Sequence, residues 1–455
     1  MTLREDLWFS LKGLICPLGS GPRPILLIIL LSALVLRLVF YSQILLPSGL
    51  IDFKPAGTDM KTYYDWAFRI ADGDWIGKGV FYYNPLYPYF LGLLFTLFGR
   101  NLGIVAFFQI TLGLVSLVFI YAIGKEVFGE ATGLLAAAMG AFYNMFILYE
   151  QVLLPESLGV LLSLGAFYLL LRFQEDQRAY QVFLAGAFLG LSALNRSIFL
   201  ALAPFIGAWV LINKRVPKGK KPLSLVYFLL PMALVIAPVT LRNYLVGGDL
   251  VLLTSNGGVN FFIGNSRNSE GVFHYPPPYE DINRRINLER LRPSEASRLW
   301  FREAVKSIKQ EPGRYLNLLL RKIALFWGRW DVPNNIDYET VKRYSSLLRN
   351  PLLSFGLLAP LGLTGAFLSL AWIRKAFLLH LFVVVYSFSV VAFFVVGRFR
   401  LPMAPFLMVF GAYTLCYWYE RFKEGKYPYV FWSLILFMIL WMAVNLQPLY
   451  TQLGV

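Results

Sequence analysis

Charge is what this 455-residue chain has least of. Asp, Glu, Lys and Arg make up 15% of it, and hydrophobic residues make up 57%. Soluble domains carry about 25% charged residues, so a water-solvated globule is excluded and most of the chain is expected to be solvated by lipid. Cysteine is nearly absent. Cys16 and Cys416 do not make a disulfide framework, and both are expected near the cytoplasmic face, where thiols stay reduced. Histidine is equally scarce: His274 and His380 are too far apart for a zinc site, and no H-E-x-x-H occurs. A phosphate loop, a G-x-G-x-x-G after a strand and a G-x-S-x-G are all missing. Nucleotide hydrolysis and a serine nucleophile therefore have no support. No internal repeat, low-complexity tract or separate soluble domain is evident. The lack of an inverted repeat with broken midplane helices argues against a transporter or lipid flippase.

The runs that are present are long and apolar. A helix crossing about 30 Å of hydrocarbon needs about 20 mostly apolar residues. Segments approaching that length are 25–45, 102–123, 131–149, 153–171, 182–194, 198–212, 223–241, 352–373, 377–396, 402–419 and 430–446. The sequence thus predicts an all-α polytopic membrane protein with about 11 transmembrane helices. The first 24 residues are too polar and too interrupted by Gly and Pro for a cleavable signal peptide, so the first run is expected to stay as an anchor.

The formal net charge of +16 has its explanation in sidedness rather than in nucleic acid. With the N-terminus cytoplasmic, one side holds Arg4, Lys12, Lys125, the basic run at 214–221 and the Arg421–Lys426 loop. The short turns opposite hold only Arg196, Arg398 and Arg400. This is the positive-inside pattern, with loops facing anionic headgroups. It predicts a cell-membrane protein (plasma or inner membrane) with its chemistry on the extracytoplasmic side. The apolar stretch Leu86–Phe98 tests the scheme, because at 1.5 Å per residue it reaches only about 20 Å. It is expected to lie along the outer interface, with Trp75, Tyr87 and Tyr89 at headgroup depth.

Four regions follow: a cytoplasmic N-terminus at 1–24, an N-terminal transmembrane module at 25–241, an outer loop at 242–350 and C-terminal helices at 351–455. The first outer loop, 46–101, is long, acidic and aromatic, and residues after Thr58 or Asp59 read as a capped surface helix. In the second loop the apolar run at 250–253 reads as a strand and Asn256-Gly257-Gly258 as a turn, and Pro276 to Pro278 break the chain. Amphipathic juxtamembrane helices are expected from Pro293 and from Pro312, the latter placing Arg321 and Lys322 at the membrane surface.

Carboxylates and arginines converge on the outer side. Asp59 reads as a helix N-cap or as a base in a dry outer pocket. Glu150 and Glu156 bracket the turn YEQVLLPESL. Glu156 suits the positive end of a helix, while a carboxylate at the lip of a membrane helix also marks function. Arg196 is either a snorkelling arginine or a ligand. Arg398 and Arg400, in VVGRFRLPMAP, form a pair able to fork around phosphate, and Arg242 is a third candidate. Arg37 is expected to face other helices. Nucleotide sugars are not expected outside, so a group donor used there would be carried by lipid. A base with several arginines suits transfer from a lipid-linked phosphate to a hydroxyl, or a glycan ligase or polymerase using the same lipids.

In order along the chain, TDMKTYYDWA with NPLYPYFLGLLFTLFG, LYEQVLLPESLGVLL, LNRSIFLALAP, APVTLRNYLVGGDLVLLTSNGGVNFFIGN and GRFRLPMAPFLMVFGAY resemble the GT-C superfamily of integral membrane glycosyltransferases. The branch most resembled contains protein O-mannosyltransferases and the lipid A aminoarabinose transferase. The resemblance implies an inverting transfer from a polyprenyl (undecaprenyl or dolichyl) phosphate sugar to a hydroxyl of a lipid, glycan or protein. It assigns Asp59 as the base and Glu156 as a catalytic carboxylate orienting substrate hydroxyls. Arg196, Arg242, Arg398 and Arg400 would hold the lipid phosphate, and Tyr63 and Glu150 complete the expected binding set. No metal ligands are assigned, although a divalent cation is compatible with the carboxylates. Two departures bear on the acceptor: Met60 stands after Asp59 where mannosyltransferases typically have an acidic pair, and neither branch's soluble outer domain is evident.

Overall fold

Apolar segments with no water to satisfy their backbone must close their hydrogen bonds internally, and here they do so as helices. The computed structural model describes residues 23–44, 57–350 and 352–446. Among these residues no strand forms, and extended pairing is limited to isolated bridges between Tyr143 and Leu353 and between Asn334 and Ile336. Cys16, Arg4 and Lys12 lie outside the described residues. Cys416 is a half-buried free thiol.

Among the described residues, six helical runs are long and apolar enough to cross a membrane: Arg23–Ile44, Leu102–Phe128, Glu156–Asp176, Lys218–Gly247, Phe355–Val391 and Tyr427–Asn445. Leu86–Phe98, Ala179–Asn195 and Ser197–Ile212 are apolar but shorter. The 37-residue run Phe355–Val391 would be about 55 Å long if straight. It is instead divided by a 3₁₀ turn at Ser369–Trp372. The expected helix at 131–149 is likewise divided, into Glu130–Ala141 and Asn144–Tyr149. The cause is local: Leu353 N–H donates to the Phe142 carbonyl and Asn144 N–H to the Leu353 carbonyl, at 3.0 and 3.1 Å. A neighbouring strip of chain thus takes the hydrogen bonds that would have continued the helix.

The bundle core is built where Ala179–Asn195 packs on Lys221–Gly247 and on Glu156–Asp176, and where Phe355–Leu368 packs on Ala404–Lys423. The helix Lys221–Gly247 runs through the expected boundary at 241–242. In the first loop, Asp59–Ala71 and Leu86–Phe98 are both helices and pack together. Tyr87 is not at a headgroup surface. It is buried, and its hydroxyl donates to Gln109 Oε1 at 2.6 Å, because a phenol inside the bundle must find a polar partner.

The second loop differs from expectation in three places. Residues 250–253 form no strand, because the Asn243 side chain donates to the Val251 and Leu253 carbonyls, both at 3.0 Å, in place of a neighbouring strand. Asn256-Gly257-Gly258 is not a turn but the start of the helix Gly257–Asn265. Pro278 does not simply break the chain; it begins the helix Pro278–Leu288, a position where its missing N–H costs nothing. The expected helices are present as Pro293–Gln310 and Pro312–Trp327. Lys322 is a correction within the second. It is fully buried, donates to Asn265 Oδ1 at 2.8 Å, and so serves the inside of the loop rather than a headgroup.

Candidate functional site

The site is built at the first residue of the helix Asp59–Ala71. Thr58, not Asp59, is the N-cap, its hydroxyl accepting from Lys61 N–H. The Asp59 side chain is therefore free for other partners, while the positive end of the helix still favours its charge. Asn335 clasps it from the segment after Pro312–Trp327. Asp59 N–H donates to Asn335 Oδ1 at 2.8 Å, and Asn335 Nδ2 donates to Asp59 Oδ2 at 2.9 Å. Arg398 Nη2 donates to the same Oδ2 at 2.5 Å. Asp59 Oδ1 accepts no hydrogen bond among the described residues, so one carboxylate oxygen is held and the other is available.

Arg398 is the centre of the arrangement. Its Nη1 donates to Glu156 Oε1 at 3.4 Å and its Nη2 to Asn334 Oδ1 at 2.9 Å. Glu156 begins the helix Glu156–Asp176 and is also paired with Arg196. Arg196 sits in extended backbone between Ala179–Asn195 and the 3₁₀ turn Ser197–Ala201. Both guanidinium groups lie over the Phe399 ring, Arg196 at 4.4 Å and Arg398 at 5.4 Å. Side-chain exposure is graded: Glu156 is 2% exposed, Arg398 7%, Arg196 17% and Asp59 23%. Glu156 Oε2 and Arg398 Nε are buried without a partner among the described residues. Buried polar atoms left open in this way mark a place for water or ligand.

The turn that carries Arg398 packs against the Asp331 side chain. A Cβ on Gly397 would stand 1.4 Å from Asp331 Oδ1, so a larger residue there would displace that carboxylate. Gly397 N–H donates to the Val332 carbonyl at 2.9 Å.

Burial alone would raise the Asp59 pKa. Arg398, the hydrogen bonds from Asn335 and Arg398, and the more distant Arg196 outweigh it, so the carboxyl is held below its ordinary value and is ionised at neutral pH. Burial lowers the Arg398 pKa, but Glu156 and Asp59 raise it further, so its charge is permanent. Tyr63, one turn after Asp59, is buried against Tyr83 and Tyr87, with ring centroids at 5.9 and 5.4 Å. Burial first, and Asp59 second, push its hydroxyl pKa up.

Asp59, Glu156, Arg196, Arg398 and Tyr63 are thus brought together. Three other sequence candidates are engaged elsewhere. Glu150 forms a fully buried ion pair with Arg37 in the first helix, Arg37 Nη2 donating to Glu150 Oε1 at 2.9 Å. Its charge is consumed between helices. Arg242 donates to the carbonyls of Ile76 and Gly79 and covers the Phe81 ring at 3.9 Å, so it ties down the first loop rather than facing Asp59. Arg400 donates to the Leu325, Gly328 and Trp330 carbonyls at 2.8, 2.9 and 2.7 Å. It braces the C-terminal end of Pro312–Trp327, where free carbonyls and the helix dipole favour a cation. Sequence reasoning missed Asn334, Asn335 and Phe399. Asn334 and Asn335 follow Pro333, and Asn335 adopts φ of 51°, a left-handed conformation that Asn tolerates. The Asn-Asn pair was the available signal.

The family described as dolichyl-phosphate-mannose-protein mannosyltransferase matches residues 83–241. No curated protein matches the chain in sequence. Among solved structures, the Archaeoglobus fulgidus oligosaccharyltransferase in complex with Zn and sulfate superposes with a TM-score of 0.52 and 16% identity, over 90% of this chain and 52% of that one. The apo form of that enzyme gives 0.52 and 14%, over 91% and 54%. This chain spans about half the length of those proteins, and at such identity the likeness is one of fold. Among the described residues, no three His, Cys, Asp or Glu side chains converge on a metal position. Asp59 and Glu156 already share the Arg398 guanidinium. The described residues as arranged do not fit a metal ion.

Proposed function

We propose that this chain, an integral membrane glycosyltransferase of the GT-C superfamily, moves a sugar from a polyprenyl-phosphate donor to an acceptor hydroxyl on the extracytoplasmic side, with inversion. The observation that carries this reading is the cluster in which Arg398 bridges Asp59 and Glu156 beside Arg196. A base and two cations placed together suit a reaction that removes a proton at one end and releases a phosphate at the other.

The acceptor hydroxyl approaches the open Oδ1 of Asp59 and gives up its proton there. Its oxygen bonds to the anomeric carbon as the bond from that carbon to the phosphate oxygen breaks. The leaving polyprenyl phosphate gains a negative charge, which Arg196 and Arg398 stabilise in a partly desolvated site. Glu156, fixed by both arginines, orients sugar or acceptor hydroxyls. Before the donor binds, Arg398 neutralises Asp59 and weakens it as a base. A donor phosphate competes for that guanidinium and so strengthens the base only when there is a donor to use. An apolar cavity of about 240 Å³, lined by Ile323, Trp327, Val384, Phe388 and Val391 among others, is suited to isoprenoid carbon.

In topology we propose that the shorter and divided helices complete eleven crossings, with the N-terminus cytoplasmic. The experiment is titration of the protein in nanodiscs with undecaprenyl phosphate and with dolichyl phosphate. Arg398→Ala is expected to weaken binding of the lipid phosphate by about tenfold or more, the loss of a charge-assisted contact, and to leave acceptor binding nearly unchanged. Equal losses for donor and acceptor would count against the phosphate role.

A further inference from the structure

Two rows of aromatic rings leave the catalytic cluster in different directions along the chain, and neither has a task in the transfer step. One row starts at Tyr63, one turn from Asp59, and passes through Tyr83 to Tyr82, with centroids at 5.9 and 5.0 Å. The other starts at Phe399, beneath Arg196 and Arg398. It continues through Phe394 and Phe273 to Tyr275 and Tyr279, with successive centroids at 5.7, 5.3, 5.3 and 4.4 Å. Tyr279 is stacked in turn on the buried Trp300 at 5.0 Å, which anchors the row. The outer members are open to solvent: Tyr82 is 46% exposed, Tyr275 50% and Phe273 39%. Among the described residues, none of the hydroxyls of Tyr82, Tyr83, Tyr275 and Tyr279 has a hydrogen-bond partner.

The two rows sense one another and the carboxylate. Burial raises the Tyr82 pKa, and Tyr83, Tyr279, Tyr275 and Asp59 raise it further. Burial also pushes Tyr83 up to about 12, with Asp59 the next contributor. Asp59 likewise raises Tyr275, after burial. The two rows thus start on either side of one ion-pair cluster, one at Tyr63 on the helix that begins with Asp59 and the other at Phe399 beneath Arg196 and Arg398, and each runs outward to exposed phenols.

We infer that the two tyrosine rows form the acceptor subsite and that the acceptor is a saccharide, held by ring stacking and phenol hydrogen bonds so that one hydroxyl reaches Asp59. The inference rests on the transferase reading above and narrows its acceptor from lipid, glycan or protein to a sugar. A sugar ring presents weakly positive C–H groups on its faces and hydroxyls at its rim. The negative face of an aromatic ring meets the first, and free phenol hydroxyls meet the second. An acyl chain would leave the hydroxyls unused. A peptide can also dock on aromatic rings; it is the alternative occupant that the binding experiment separates.

The test uses the full chain in nanodiscs, with saturation-transfer NMR on trisaccharides of mannose, glucose, galactose and N-acetylglucosamine, and on a Ser/Thr hexapeptide. The pair Tyr82→Leu and Tyr275→Leu keeps apolar bulk and removes ring faces and hydroxyls. At least one trisaccharide is expected to receive saturation at its ring C–H protons. Its affinity should fall about tenfold in the leucine pair, the scale of lost aromatic contact, and less with Tyr82→Phe and Tyr275→Phe. Undecaprenyl phosphate binding should be unchanged by all four substitutions. No saccharide contact, contact that survives the leucine pair, or ring-dependent binding of the peptide would each overturn the inference. Failure of the wild type to bind undecaprenyl phosphate would instead count against the transferase reading itself.

Discussion

In the proposed transfer, Asn335 decides which oxygen of Asp59 meets a substrate. It accepts from the Asp59 backbone and donates to Oδ2, so the carboxylate plane is set from a loop far along the sequence. Its φ of 51° means that glycine preserves the backbone while removing the clasp, whereas alanine adds strain. Asn335→Gly is expected to lower kcat about tenfold, the value of one hydrogen bond to a charged group, with little change in KM for the donor. The acid limb of the pH–rate profile should move up, because a hydrogen bond favouring the ionised carboxyl has been lost. A fall in thermal stability with no change in the pH profile would assign Asn335 a purely structural part. At this scale the sequence told which residue types mattered but not which way they point. Arg398 and Arg400 lie two residues apart in one motif. In a 3₁₀ turn of about three residues they project about 120° apart, so one meets carboxylates and the other meets carbonyls. The turn is tied to the segment at 331–332, where Gly397 donates its N–H to the Val332 carbonyl and packs against the Asp331 side chain, a contact that residue spacing does not contain.

Between elements, the Arg37–Glu150 pair joins the first helix to the end of Asn144–Tyr149. Arg37 also donates to the Ala33 and Ala141 carbonyls at 3.1 and 3.3 Å. The pair needs Gly113 on Leu102–Phe128, where a Cβ would stand 2.3 Å from the Glu150 carboxyl. Removing one partner of a buried ion pair leaves an uncompensated charge. Glu150→Leu is therefore expected to cost about 3–5 kcal/mol, and adding Arg37→Met should recover most of it, as read from thermal unfolding with an activity assay alongside. A double variant that is stable but inactive would restore Glu150 to the substrate site. Helix starts at Pro293 and Pro312 were legible because proline at a first turn and a period of 3.6 leave marks in sequence. The break at Phe142 was not, since it depends on Leu353 supplying backbone hydrogen bonds across the bundle.

For the whole molecule, helical class was legible in composition, and the likeness in fold to the solved Archaeoglobus fulgidus oligosaccharyltransferase agrees with it. The crossing number did not follow from run length, because several apolar runs are short or divided. What joins the parts is that Arg398, on the turn before Ala404–Lys423, pairs with Asp59 of the first loop and with Glu156 at the start of Glu156–Asp176, and Glu156 pairs in turn with Arg196 at the Ala179–Asn195 end. In the proposed reaction Asp59 is the base of that cluster. The most direct test is sugar transfer by purified Asp59→Asn in nanodiscs, with undecaprenyl phosphate binding measured on the same preparation. Transfer should be lost while the lipid phosphate still binds and the thermal midpoint is retained. Wild-type transfer by Asp59→Asn would contradict the account.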